Sequence, residues 1–324
     1  MKTVYHFFRL IRTANLLVIG LTMFVVEVFL INYNELFLKH TDILQLFSSP
    51  SPIPNDFILL VISTLLIAAA GNIINDYFDV KADRINKPKR LIIDKHIKRR
   101  WAMVLHWSFN SLGLLLALYV GYVFHNVWIP LIAFISINIL WFYSVYFKRK
   151  GLVGNLMVSL LLGIIPIYVL ILNIDSVINN DSEEFMLAVV FWVSSVAFLM
   201  NLVRELVKDI QDIRGDLRLG AKTFPIRFGV KKTKWLIGLL SLFVFLIVFI
   251  YVYFIIIIAV VVGLFNIQSD INFDIVLILL VSSGTVFLSS VITTIFAKKI
   301  ITYKIASSLL KVAMLLGLLT PLFF

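Results

Sequence analysis

The chain contains no cysteine. Disulfides, thiolate zinc sites and cysteine nucleophiles are therefore excluded. Histidine is scarce too: five scattered residues leave little for an imidazole metal site. Charge is also low, with 15% Asp, Glu, Lys and Arg against 61% hydrophobic residues over 324 positions. A soluble domain is roughly a quarter charged and about half apolar. The balance seen here excludes disorder and argues against an ordinary water-soluble enzyme. No second composition class interrupts the chain, and Ser/Pro-rich residues 48–54 read as one short stiff turn. The whole of 1–324 is expected to form a single transmembrane domain.

What the chain has in abundance is long apolar runs. A membrane-spanning helix needs about 20 mostly apolar residues. Nine segments qualify, near 14–32, 56–75, 102–121, 127–147, 152–172, 185–203, 236–264, 274–297 and 302–323. The fold class this implies is an all-α integral membrane protein. The first run follows a basic start (Lys2, Arg9, Arg12) but is long and lacks a small-x-small cleavage pattern, so it reads as a retained helix.

The net charge of +11 would suggest a nucleic-acid partner in a soluble protein. Its distribution says otherwise. Segments 1–13, 76–101, 148–151, 204–235 and 298–304 hold 27 of the 29 Lys and Arg; Lys39 and Lys311 are the exceptions. The alternate connections carry Glu35, Asp42, Asp56, Asp175, Asp181, Glu183, Glu184, Asp270 and Asp274. The positive-inside rule then puts the N-terminus in the cytoplasm and the C-terminus outside, in a multi-pass protein of the cell membrane. The excess charge is topology, and no nucleic-acid partner is expected.

Two long cytoplasmic segments break this pattern by opening on acids. The first reads Asn72-Ile-Ile-Asn75-Asp76-Tyr-Phe-Asp79-Val-Lys-Ala-Asp83. The second reads Glu205-Leu-Val-Lys208-Asp209-Ile-Gln-Asp212-Ile-Arg-Gly-Asp216, offset from the first by 133 residues. Both follow spans that run inward, so the repeat is parallel. If each helix continues, positions 72, 76, 79 and 83 share an arc of about 60°, as do their counterparts. Crowded carboxylates repel unless a positive charge sits among them. A ligand set made only of oxygen suits a hard cation, Mg²⁺ or Mn²⁺, above zinc or copper. Magnesium seldom takes a full protein cage and commonly bridges to substrate phosphates. Nearby Lys87, Lys89, Arg90, Lys148, Arg149, Lys222 and Arg227 are candidates for the remaining phosphate charge. One such cluster is as readily a solvated helix end with i,i+4 pairs; two matching clusters are not.

The motif Asn75-Asp76-x-x-Asp79-x-x-x-Asp83 resembles the first signature of the UbiA superfamily of intramembrane prenyltransferases, and Asp212-x-x-x-Asp216 resembles its second. Arg204-Glu205-x-x-Lys208-Asp209, the Gly220-x-x-Thr223-x-Pro225-Ile226 stretch and Lys148-Arg149-Lys150-Gly151-Leu152-x-Gly154-Asn155 are similar to the branch that prenylates an isoprenoid glycerol phosphate. After the first motif that branch often reads Asn-x-Pro-x-Arg-Pro, whereas here Leu91 replaces the final proline. The resemblance implies a nine-helix bundle and Mg²⁺-dependent transfer from a polyprenyl diphosphate to a hydrophobic or glycerol-phosphate acceptor in the bilayer. It also implies an active site on the cytoplasmic side. Asn75, Asp79, Asp83, Asp212 and Asp216 are then the expected metal-site and catalytic residues, with Asp76 and Asp209 in support. Lys87, Arg90, Lys148, Arg149 and Lys222 are expected at the diphosphate, and Asn155, Glu205 and Lys208 at the cavity.

An allylic diphosphate ionises when its leaving group is neutralised, which needs no nucleophilic side chain. The resulting cation needs a dry pocket, and aromatic faces can stabilise it. Tyr77, Phe78, Trp141, Phe142, Tyr143 and Tyr146 stand near inner helix ends, where packing is the commoner role for such rings. Glu27, within the first span, is expected to snorkel to the outer interface. Asn110, Asn138, Asn155 and Asn201 are expected to bond between helices. His106 lacks a histidine partner at ligand spacing. An aromatic quinone precursor as acceptor, or a cation-coupled transporter, are the alternatives. Against transport, the acids sit at cytoplasmic ends and no span looks broken at its middle.

Overall fold

The computed structural model describes residues 2–35, 54–86, 88, 91–179, 183–264 and 272–323. The expected turn at 48–54 lies outside them, apart from Pro54. Among the described residues, nine helices are long and apolar enough to cross a membrane, matching the nine runs one for one.

The helices in order are α1 (Lys2–Leu10), α2 (Thr13–Glu35), α3 (Asn55–Asn86), α4 (Arg99–Val123), α5 (Trp128–Val145), α6 (Val153–Leu172), α7 (Ile174–Ile178), α8 (Glu183–Arg218), α9 (Phe224–Leu264), α10 (Phe273–Phe296) and α11 (Ile300–Leu318). Two short strands, β1 (Lys150–Gly151) and β2 (Lys222–Thr223), pair in parallel. Helices α3 and α8 run well past the hydrophobic limits at 75 and 203, to Asn86 and Arg218. Hydropathy marks only the stretch in lipid, whereas the polar motif residues keep the helix going into water. A kink at Gly229, with φ 84°, interrupts α9.

The chain forms two compact units. The first comprises Met1–Met23, Thr41–Leu161 and Asp212–Arg227. Within it α3 packs on α4 and α5. Gly113 permits the close approach of α4: a Cβ there would stand 2.8 Å from Ile67 Cγ1, and Ser63 Oγ donates to the Gly113 carbonyl at 2.6 Å. Small residues and hydroxyl bonds of this kind tie helices together in lipid, where apolar burial gives little drive. One apolar cluster joins Leu10, Ile11 and Leu16 to Ile73 and Val80 of α3 and to Ile92 and Ile93 of the loop that follows. The amphipathic α1 exposes Val4, Tyr5 and Phe8 and so has the character of a helix lying in an interface.

The second unit comprises Phe24–His40, Leu162–Gln211 and Phe228–Phe324. Its α10 and α11 are stitched by Ser290 Oγ to the Ala306 carbonyl and Ser283 Oγ to the Ala313 carbonyl, both 2.8 Å. Lys234 Nζ donates to the carbonyls of Ile295 and Ala297 at the end of α10. Trp192 stacks on Tyr251 with ring centres 3.8 Å apart. Glu27 corrects an expectation: it does not snorkel but is fully buried, accepting a 2.8 Å bond from Asn173 Nδ2. A packed donor within the unit holds it in place more cheaply than a stretch to the interface would.

Candidate functional site

The inner end of α3 supplies the first column of oxygens. Because the helix does not stop at residue 75, Asn72, Asn75, Asp76, Asp79 and Asp83 fall on one face. Asn72 Nδ2 donates to the Ile11 carbonyl at 2.9 Å, fastening α3 to the break between α1 and α2. Asn75 is buried, and the aspartates at 76, 79 and 83 are half-buried.

Two cations meet this column. Arg12 donates from Nη2 to Asp76 Oδ1 at 2.6 Å. Lys148 donates from Nζ to Asn75 Oδ1 at 2.9 Å and also to Asp79 Oδ2. Asp76 raises the pKa of Arg12 above its ordinary value, against the opposing effect of burial. Burial also works against the charged form of Lys148, but Asp79 and Tyr143 outweigh it and raise its pKa. Both groups therefore stay charged at any physiological pH.

Local structure aims each of them. Arg12 sits at the α1–α2 break with φ 55°, a left-handed conformation uncommon outside glycine. Lys148 lies in the short 3₁₀ turn Phe147–Arg149. The next two residues form β1, in register with β2: Lys150 opposite Lys222, Gly151 opposite Thr223. That pairing brings the loop after α5 against the loop after the second motif. Gly154 closes the arrangement from below. A Cβ there would stand 2.8 Å from the Phe147 carbonyl oxygen and 3.0 Å from Lys148 Cα.

The second motif occupies the last turns of α8. Its Glu205 is buried and accepts from Lys208 Nζ at 2.7 and 2.8 Å and from Arg204 at 3.2 Å. Asp209, Asp212 and Asp216 are half-buried, and the Asp216 carbonyl accepts the Ala221 amide at 2.9 Å where the chain turns toward β2. Among the described residues, no three Asp, Glu or His side chains converge as a metal cage.

The structure thus brings Asn75, Asp76, Asp79 and Lys148 together and puts Lys222 on the paired strand beside the Lys148 turn. Arg149 and Lys222 are exposed. Asn155 is buried one residue past Gly154, and its carbonyl accepts Ser159 Oγ at 2.7 Å. Lys87, Lys89 and Arg90 lie outside the described residues. Arg12 went unnoticed in the sequence as a site residue, since it reads as the basic flank of a span.

Other expectations shift. Asn138 bonds the Phe134 carbonyl of its own helix, and Asn110 bonds His106 one turn away, so neither side chain makes the interhelical bond expected of it. His106 itself reaches from α4 to α3, at the Ala70 carbonyl 3.0 Å away. Of the aromatic candidates, Tyr77 lies under Arg99 and Tyr146 under Lys150. Phe78 packs edge-on against Trp141, and Phe142 is exposed.

Comparison with known proteins fits this architecture. The profile of the UbiA prenyltransferase family matches residues 43–272. A digeranylgeranylglyceryl phosphate synthase from Korarchaeum cryptofilum is 35% identical over 196 residues, 60% of this chain and 64% of that protein. The same enzyme from Thermococcus kodakarensis is 32% identical over 185 residues, 57% of this chain and 61% of that protein. The matched stretch spans about six tenths of the length of these relatives. Among solved structures, a digeranylgeranylglyceryl phosphate synthase in membranes superposes with TM-score 0.59 at 24% identity, covering 99% of this chain and 98% of that one. A UbiA homolog from Archaeoglobus fulgidus, bound to DMAPP and Mg²⁺, does so with TM-score 0.54 at 14% identity, covering 97% and 99%. At these identities the structural likeness speaks for the fold.

Proposed function

The chain belongs to the UbiA prenyltransferase family, and from that premise we propose that it transfers a prenyl group from a polyprenyl diphosphate to a membrane-associated isoprenoid glycerol phosphate. One observation carries this reading: an all-oxygen column at the inner end of a spanning helix, already engaged by two fixed cations, Arg12 and Lys148. Carboxylates and strong cations side by side are what a metal–diphosphate headgroup needs. The aligned relatives are digeranylgeranylglyceryl phosphate synthases, which favours the glycerol-phosphate acceptor.

The donor set suits Mg²⁺ in type, with oxygen ligands and no sulfur or imidazole. The lack of a three-residue cage among the described residues suits an ion that keeps waters and takes phosphate oxygens. Asn75, Asp79 and Asp83 would hold it on α3, and Asp212 and Asp216 on α8, with Asp76 and Asp209 in support. Bound there, Mg²⁺ neutralises charge on the departing diphosphate.

The chain's own residues do the rest. Lys148, Arg149 and Lys222, with Lys87 and Arg90, offer cationic donors to the diphosphate oxygens and so stabilise the charge that grows as the C1–O bond breaks. Glu205 and Lys208 precede Asp212 by one to two turns of the same helix, and we assign a supporting role to them and to Asn155. The apolar helices exclude water, which would otherwise trap the allylic cation. The acceptor hydroxyl oxygen then bonds to C1 of the allylic cation, and its proton passes to the released diphosphate. We place this site on the cytoplasmic side, with the N-terminus inside and the C-terminus outside, because 27 of 29 Lys and Arg lie on that set of connections.

The test is one assay matrix. Purified protein is offered geranylgeranyl or farnesyl diphosphate with glycerol-phosphate and aromatic acceptors, and products are read by mass. A prenylated glycerol phosphate formed with Mg²⁺ and lost with EDTA is expected. Product formed only on aromatic carbon would move the acceptor class, and no transfer to any acceptor would overturn the reading. Absence of native cysteine makes single-cysteine labelling from either side of the membrane a clean topology test.

A further inference from the structure

Lys148 spends two of its three N–H donors on residues one turn apart in the first motif, Asn75 and Asp79. Those same side chains belong to the oxygen column assigned above to the divalent ion. An ammonium bonded to Asn75 Oδ1 and to one Asp79 oxygen competes with a divalent cation for the column, by like-charge repulsion and by taking part of its donor set. On the reading that this column serves a metal–diphosphate, we propose that Lys148 is its resident cation. It holds Asn75 and Asp79 until a diphosphate arrives, then passes to phosphate oxygen, so the divalent ion enters with the diphosphate and not ahead of it.

Two features support the exchange. The Lys148 backbone is fixed by the β1–β2 pairing and by Gly154, while its four-carbon side chain remains free to swing between two anions from one anchor. Arg12 repeats the arrangement one residue along, on Asp76. The second motif is built differently: the position matching Asn75 is Lys208, which pairs with Glu205 on its own helix. Lys148 acts here as a positioning residue before it ever touches substrate.

The experiment titrates Mn²⁺, followed by electron paramagnetic resonance, into purified full-length protein in lipid nanodiscs. Wild type alone is expected to bind weakly. Lys148→Met should bind Mn²⁺ about tenfold tighter without any diphosphate, the factor represented by one charge-assisted hydrogen bond that no longer has to be broken. Lys148→Arg, keeping the cation, should resemble wild type. A merely structural lysine would give weaker binding on removal, and equal or weaker Mn²⁺ binding by Lys148→Met overturns the proposal. A second arm needs no variant at Lys148. An uncleavable prenyl thiolodiphosphate should tighten Mn²⁺ retention by wild type at least tenfold, after subtraction of the Asp79→Asn background. Tight binding of Mn²⁺ by wild type without the analogue refutes the exchange and leaves the prenyl-transfer reading standing. Failure of every protein to retain Mn²⁺ above that background, even with the analogue, sinks both.

Discussion

Gly154→Ala tests whether the Lys148 turn is positioned or merely present. The new methyl would stand 2.8 Å from the Phe147 carbonyl oxygen, 3.1 Å from its carbon and 3.0 Å from Lys148 Cα. All three are backbone atoms, so no flexible side chain can yield. Restoring ordinary contact requires a shift of roughly half an ångström in the turn or in the start of α6. The turn cannot simply rotate away, because Lys150 and Gly151 are in register with Lys222 and Thr223. Lys148 would move relative to Asn75 and Asp79, which ride on a different helix. Overpacking of this kind costs about 1–3 kcal/mol. Misplacement of a binding group by about 1 Å costs on the order of 100-fold in rate, so half of that displacement predicts about a tenfold fall in kcat/KM. The assay is prenyl transfer by purified protein beside a thermal melt. Gly238→Ala and Gly284→Ala are the controls, since a Cβ at either meets nothing within 4 Å. Full turnover and an unchanged melt for Gly154→Ala would refute the reasoning.

Asp79→Asn and Asp212→Asn should each abolish prenyl transfer while leaving membrane insertion and melting intact; normal turnover by the double variant would remove the metal assignment. Asn173→Ala strips the buried Glu27 carboxylate of its 2.8 Å donor, and should cost about 1–3 kcal/mol in unfolding, with Glu27→Gln much milder. A fully stable Asn173→Ala protein would show that bond to be dispensable. His6 lies below the ordinary histidine pKa, first through burial and then through the positive neighbours His96, Arg9 and Lys95. The unfolded chain therefore takes up that proton at higher pH than the folded one. This contribution to stability is full above about pH 6.5 and is lost as pH falls below it. The melting temperature should drop between about pH 7 and pH 5, and His6→Phe, which keeps a ring against His96 without a titrating nitrogen, should flatten that drop. An identical slope in the variant would assign it to other groups.

The nine spans were legible because each is a long apolar run, and lipid punishes any other composition. The acid columns were legible because i, i+4 and i+7 spacing survives translation into a helix. What the sequence hid depends on position in space. Arg12 lies 64 residues from Asp76 and looks like any basic flank; only the left-handed break between α1 and α2 turns it onto the column. Gly154 stood within a recognisable string, yet its reason, close contact with the backbone of Phe147 and Lys148, exists only once that turn has folded back on the start of α6. Asn138 and Glu27 were misjudged for one physical cause. A polar group in lipid must find a partner, but composition does not say whether that partner is its own carbonyl, as for Asn138, or a distant amide, as for Glu27.

The two motifs match residue for residue in their aspartates, and the ion pairs described at each differ in origin. On α8 the partners of Glu205 come from the same helix, Arg204 and Lys208. On α3 the paired cations come from elsewhere, Arg12 before the second helix and Lys148 after the fifth. An intrahelical pair holds wherever its helix goes, whereas an imported pair holds only while the separate segments are docked. Occupancy of the first column by its own cations is thus coupled to the packing of α1, of the α5–α6 turn and, through β1 and β2, of the loop that follows the second motif. The net charge of +11 accordingly does two jobs. Most of it orients the chain in the membrane, and two of the same residues tie three separate segments to one carboxylate column. A change in how that column is filled can therefore be felt in the loops around it, beyond the side chains that meet the bound group.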